Sequence, residues 1–490
     1  DPFWSPDGRH IGFFSRGKIR RISVEGGAQQ TLADADRYGG SWNAEGTILY
    51  APAFGYPLMR VSSSGGAPQP VTTLDASRQE VLHCWPNFLP DGKHFLYFAR
   101  SIDPGKGAIW VGSLDSGTRE MLTAADAGPV YVPPGYVLFG REGALLAQRF
   151  DPAKRKLIGD AVPLARKVSV DPSNNDLFAS AGANLLVYQI HSPRNRELTW
   201  LDRTGRSLAR VGPPAEYWTF ALSPDETQIV ASIADPERRT GDLWIVDAAR
   251  GTRVRLTSGV SDEFMPRWSS NGFIYYTADP EGFYDVYRTQ ASGTGSAERV
   301  LHTTLDKWVN DVSRDGGSLL IQVFDLKTVY DLWVLPVGPT AKPDVTLAAG
   351  YPETEGQFSP DGRWIAYASR ESGRDEVLVS PRSAPTRRLQ ISVGGGTQPR
   401  WSRDGREIFF LTPERRLMAA AVRLHEDTAE VLDTKPLFSN KDFRLGWDPR
   451  VRTTYEVSVD GRFLFPLPVD ERDARPLVAV VDWAAGLEKR

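Results

Sequence analysis

Apolar and polar residues alternate along most of the chain in short runs. Ile11 and Phe13, Phe95 and Tyr97, Ile365 and Tyr367, and Ile408 and Phe410 each stand one residue apart after a polar turn. That is the period of a strand with one buried face. Further apolar runs follow, such as Leu243-Trp-Ile-Val246, Leu332-Trp-Val-Leu335 and Val377-Leu-Val379, and then a glycine-rich turn and a last short strand such as Arg255-Leu-Thr257. Helical spacing sustained over eleven or more residues is nearly absent, so the pattern predicts an all-β chain of short antiparallel strands.

The turns between these runs repeat. A bulky apolar residue precedes Ser-Pro-Asp-Gly or a relative of it at Trp4, Trp42, Phe88, Leu222, Trp268, Val312, Phe358, Trp401 and Val457, with weaker copies near Pro134-Gly135 and Ala181-Gly182. Proline presets the first corner of such a turn, Asp bonds its own backbone, and Gly takes the positive φ that closes a hairpin. The intervals between turns run from 38 to 56 residues, most of them 43 to 47. Repeats of that length, each reading as four strands, predict β-propeller blades, because radial packing buries both faces of a four-stranded sheet. The aromatic before each turn reads as core between blades.

Eleven repeats exceed the four to eight blades of a usual ring. The fold expected is therefore a tandem β-propeller of four-stranded antiparallel blades. A first ring of five recognisable blades spans 1–212 and a six-bladed second ring spans 213–490. The seam is expected where Arg196–Gly205 gives a polar hairpin and Gly212-Pro-Pro214 interrupts the chain. Because Asp1 falls at an innermost strand, a blade is expected to precede it, which makes two six-bladed rings with the first truncated at its N-terminus.

Composition narrows the function. The chain has 490 residues, with 61 acidic and 58 basic side chains and a formal net charge of −3. No field of one sign exists to steer a polyanion, so nucleic acid is not an expected partner. Gly and Pro are abundant, at 45 and 36 residues, while 11% of the chain is aromatic, which fits a turn-rich globular protein and not a disordered one. A single cysteine, Cys84, excludes an internal disulfide and multi-cysteine metal sites. No run of 18 apolar residues occurs, so this segment is not expected to insert in a membrane.

Catalytic signatures are missing at the level of motif. There is no Gly-x-Ser-x-Gly elbow, and Asp442-Phe-Arg444 has arginine where a kinase has glycine. The glycines of Gly293-Thr-Gly295 and Gly394-Gly-Gly396 do not continue into a nucleotide-binding spacing. The six histidines show no metal-ligand spacing, and one carboxylate per turn falls short of a calcium shell. No cofactor, no metal and no catalytic residue are expected.

The remaining candidate surface is the axial channel of the second ring, where a protein, peptide or glycan segment is the expected ligand. Arg267 and Arg400 each stand one residue before an inter-blade tryptophan, so strand alternation turns them away from that packing and toward the axis. Arginine recognises carboxylates in a planar, bidentate way. Tyr217 and Trp308 are the candidate stacking surfaces, and Glu355 completes the set.

The repeats resemble the TolB-type, WD-like propeller repeat over nearly the whole chain. The order of Pro2-Phe-Trp-Ser-Pro-Asp-Gly8, Leu198-Thr-Trp-Leu-Asp-Arg203, Phe358–Tyr367 and Val481-Asp-Trp-Ala-Ala-Gly-Leu487 further resembles the C-terminal propeller region of bacterial membrane-anchored serine/threonine kinases. That resemblance implies a periplasmic or otherwise extracytoplasmic sensor or interaction module, non-catalytic in itself, carried by a membrane-anchored parent. A stand-alone periplasmic scaffold and a propeller-channel hydrolase are the alternatives.

Overall fold

The structure is a computed structural model. It describes all residues except 1, 16, 36–37, 54, 102–103, 172–174, 183, 191–194, 236–239, 260, 281–283, 304, 326–327, 339–341, 444–453, 470–476 and 488–490. The chain is all-β, apart from single-turn helical pieces, and its strands form four-stranded antiparallel sheets in sequence order, which are propeller blades. Two compact units emerge: Asp1–Ser192 together with Ala474–Arg490, and Pro193–Asp473.

In the first unit, four-stranded sheets begin at Phe3–Trp4, Gly40–Trp42, Glu80–Phe88 and Val130–Val132. A three-stranded sheet follows, made of Ala179–Ala181, Leu185–Gln189 and, from the far end of the chain, Leu477–Val481. Its register pairs Val187 with Ala479. Trp483, just beyond that strand, is buried and meets Tyr136 edge-on at 5.4 Å between ring centroids. The weak repeat copies at Pro134-Gly135 and Gly182 also fall between first and second strands, as the strong ones do.

The second unit holds six four-stranded sheets. Five run in order from Tyr217–Leu222, Glu263–Trp268, Lys307–Val312, Glu353–Phe358 and Thr397–Trp401. The sixth is composite, since its inner strands Glu456–Val457 and Phe463–Pro468 are joined by outer strands Arg196–Leu201 and Ser207–Ala215 from the start of the unit. Trp200 pairs with Leu464 across that seam. The ring is closed at its hairpin tips as well, where Glu226 of the first sheet accepts the Val459 N–H of the sixth at 2.5 Å.

This closure locates the division between units at residues 192 and 193, earlier than the 212/213 boundary expected from sequence. The polar hairpin near Asp202 links two outer strands of the sixth blade. Gly212-Pro-Pro214 lies within the outermost of these, where a proline's missing N–H breaks no ladder bond.

The repeat motif folds as its chemistry requires. In Ser359–Arg363 the Asp361 carboxylate accepts the Ser359 hydroxyl at 2.5 Å and the Arg363 N–H at 3.1 Å, and Gly362 sits at φ 71°. The Ser359 hydroxyl in turn accepts the Trp364 N–H at 2.9 Å. Trp364, Ile365, Tyr367 and their counterparts fill the layers between sheets. Among the described residues no helix is long and apolar enough to cross a membrane.

Candidate functional site

One side chain per blade of the second unit occupies the strand position just before the bulky residue of the motif. Around the ring these are Ala221, Arg267, Asp311, Gln357, Arg400 and Glu456. Each polar member whose contacts are resolved reaches the following blade. Arg267 Nε donates to the Asn310 carbonyl at 2.6 Å. Asp311 accepts the Phe358 N–H at 2.8 Å, and Gln357 accepts the Trp401 N–H at 2.7 Å. Arg400 Nε lies 3.9 Å from Glu456, with its guanidinium 5.8 Å from the Tyr455 ring centroid. The result is a head-to-tail belt of side chains at the axis, with two cations and two anions.

Both Pro-Arg-Trp segments share one geometry. Arg267 donates to the Pro266 carbonyl and Arg400 to the Pro399 carbonyl, each at 2.9 Å. The strands carrying them have a bulge just upstream, with Met265 and Gln398 in the left-handed region at φ 53° and 54°. Glu355 takes the equivalent conformation at φ 58° in the blade between them. Bulges re-aim the side chains beside them, and three blades share this form with a left-handed residue.

Burial sets the electrostatics. Arg267 and Arg400 are 7% and 5% exposed. Burial draws the Arg267 pKa down, with Glu456 opposing that shift, Arg400 adding to it and Asp311 opposing it. Burial pushes the Asp311 carboxyl up to about 6, against the pull of Arg267, the Phe358 N–H and Arg400. The Asp311 carboxyl of the belt is thus drawn close to the working pH range.

Of the residues singled out from sequence, Arg267 and Arg400 meet at the axis. Glu355 lies near them, accepting the Gln398 N–H at 2.6 Å and so tying two neighbouring first strands. Tyr217 and Trp308 are packed inside. Tyr217 is 1% exposed and donates to the Pro213 carbonyl at 3.1 Å. Trp308 is 4% exposed among Phe264, Met265, Tyr284 and Tyr330, with ring contacts of 5.8 Å to both tyrosines. Neither ring presents a face to solvent. Asp311 and Glu456 were not singled out, although the repeat itself marks them, since they fall at the same motif position as the two arginines.

The first unit contains a constellation that looks hydrolytic. His83 is fully buried, with Nε2 2.9 Å from Glu80 and Nδ1 2.7 Å from the Thr72 hydroxyl. Arg119 clamps Glu80 at 2.7 and 2.9 Å and Asp75 at 3.0 Å, while stacking on Trp110 at 4.2 Å. Burial lowers the His83 pKa against the opposing pull of Glu80. The Thr72 hydroxyl accepts the Leu58 N–H at 2.9 Å. Thr257 and Ser392 accept the corresponding N–H of Leu243 and Val377 in other blades. A hydroxyl that recurs blade after blade in one backbone contact is a structural pin, so Thr72 is read as one.

No family model and no curated protein matches the chain. Among solved structures it is similar to a putative TolB from Agrobacterium tumefaciens, at 15% identity and a TM-score of 0.42, covering 57% of this chain and all of that one. It is also similar to TolB from Acinetobacter baumannii, at 15% identity and a TM-score of 0.38, covering 72% of this chain and 81% of that one.

Proposed function

We propose that the chain is a non-catalytic binding module whose second unit receives a polar segment of a protein, peptide or glycan at the axis. One observation supports this above the others. Arg267, Asp311, Arg400 and Glu456 come from four blades and converge on one belt, so a segment entering the axis meets all four charges at once. A carboxylate on that segment competes with Glu456 for Arg400, and bidentate geometry favours such an exchange. Placement as the extracytoplasmic sensor region of a receptor-like serine/threonine kinase accords with the motif order described above.

A screen of the whole chain against peptide and glycan libraries, repeated with Arg400→Ala, tests the reading. Binding that is lost in the variant while the melting temperature holds supports the axial site. Unchanged affinity with lowered stability leaves the belt as a closure of the ring and nothing more.

A further inference from the structure

On the hairpin-tip face of the second unit, away from the axial belt, a cavity of about 820 Å3 opens between the fourth and fifth blades. Ligand sites span about 300–1,000 Å3, so its size is that of a binding site. Five arginines line it: Arg314, Arg363, Arg403, Arg406 and Arg423. The repeat places four of them there, because the turns read Ser-Arg-Asp-Gly at Arg314 and Arg403, and Gly-Arg at Arg363 and Arg406, while Arg423 comes from the strand Arg416–Leu424.

The three carboxylates in the same wall are already engaged. Asp361 and Asp404 hold the Ser359 and Ser402 hydroxyls and the N–H groups of their own turns. The Ser402 hydroxyl keeps the Asp404 carboxyl below its usual range. Glu407 is taken by a bidentate pair with Arg203 at 2.7 and 2.8 Å. By contrast Arg363 meets Asp361 through Nε at 2.9 Å, and Arg406 lies 3.9 Å from Asp404, while a guanidinium carries five N–H donors. Arg314 is exposed, the side chains of Arg363 and Arg406 are 63% and 84% exposed, and Arg423, 58% exposed, is paired with Glu430. The rim therefore carries an excess of cationic donors on a chain whose net charge is −3.

The remaining wall is apolar. Pro360, Ala421, Val422, Leu424 and Leu432 contribute to it, and Leu432 is 50% exposed. Aliphatic surface flanked by guanidinium groups matches a ligand with the same two chemistries in alternation. We propose that this groove binds an acidic amphipathic peptide segment, with carboxylates alternating with aliphatic side chains. In an extended segment successive side chains point to opposite sides, so carboxylates reach the arginine rim while aliphatic groups face Leu424 and Leu432. The fit differs from that of phosphate or a uniform polyanion, for which the apolar wall offers nothing.

Fluorescence anisotropy with a labelled alternating Glu-Leu peptide and the full chain tests the proposal. The expected result is saturable binding that weakens about tenfold or more in Arg314→Ala/Arg363→Ala/Arg406→Ala. It also weakens, by a smaller factor, in Leu432→Ser. Arg400→Ala, outside this groove, leaves it unchanged, which separates the groove from the axial reading. Absence of binding to the parent chain overturns the proposal, as does unchanged affinity in the triple variant. Tighter binding of inorganic phosphate, a phosphopeptide or polyglutamate also overturns it. If the triple variant melts early, Arg314→Glu alone, at an exposed position, carries the same expectation of weakened binding.

Discussion

Glu353 is one of the carboxylates of the second unit whose burial couples stability to pH. It begins the first strand of the fourth blade, is 1% exposed, and its Oε2 lies buried without a hydrogen-bond partner among the described residues. Burial pushes its pKa from 4.5 up to about 7, with the Ala349 N–H opposing and the nearby Asp331 adding to the rise. Arg388 pulls the other way and Glu371 reinforces the shift. The folded state therefore holds the proton more tightly than the unfolded chain. This contribution to stability is fully present below the unfolded value of 4.5 and is lost as pH rises through about 7. At about 1.4 kcal/mol per pKa unit, the rise corresponds to about 3 kcal/mol. Glu353→Gln keeps the shape and stays neutral, so it should raise stability at pH 8.5 by about 1–3 kcal/mol and change little at pH 5. Glu263, raised to about 7 by its burial at the junction between the first two blades, is unaltered, so the variant retains part of the pH dependence. Urea unfolding followed at both pH values measures the difference. A variant destabilised equally at both, or a parent whose stability is flat from pH 5 to 8.5, refutes the reasoning.

Three further outcomes follow from the blades. Gly362→Val has open space around the new side chain, so its cost is backbone strain at φ 71°, about 1–2 kcal/mol by thermal unfolding, with Asp361→Ala costing about 1 kcal/mol or less. Lys307 is fully buried with Nζ 2.5 Å from Asp285, so Lys307→Met should cost about 3–5 kcal/mol, and adding Asp285→Asn should restore part of it in a double-mutant cycle. Trp483→Ala should cost about 3–5 kcal/mol in the first unit, seen as faster amide exchange in Leu185–Gln189, while exchange in Glu263–Trp268 stays unchanged.

The blades were legible because their information is local. Ser-Pro-Asp-Gly at 359–362 contains its own hydroxyl, carboxylate and left-handed glycine, and the strands beside it alternate over a few residues, so the pattern reads without knowledge of any distant partner. Ring closure was not legible for the opposite reason. Leu198 pairs with Pro466 and Leu185 with Val481, and no feature of either segment names a partner almost three hundred residues away. The Gly212-Pro-Pro sequence that reads as a break is compatible with a strand because the outermost strand leaves one row of N–H groups without a ladder partner. The bulges at Met265, Glu355 and Gln398 were hidden too, since these residue types do not announce a positive φ.

The candidate sites sit where the repeat stops dictating residue identity. At the start of successive first strands, five residues before the bulky residue of the motif, the chain supplies Glu263, Lys307 and Glu353 in turn. The lysine meets Asp285 as an ion pair. The two glutamates sit near Asp242 and Asp331 and are raised to about 7. One architectural position thus yields a charge pair and two titrating carboxylates. The same holds before the motif aromatic, where alanine, arginine, aspartate, glutamine, arginine and glutamate follow one another around the axis. A ring of equivalent positions with inequivalent chemistry confers direction on a nearly symmetric scaffold, which is what the proposed axial and groove readings require of a site that would hold its ligand in one orientation.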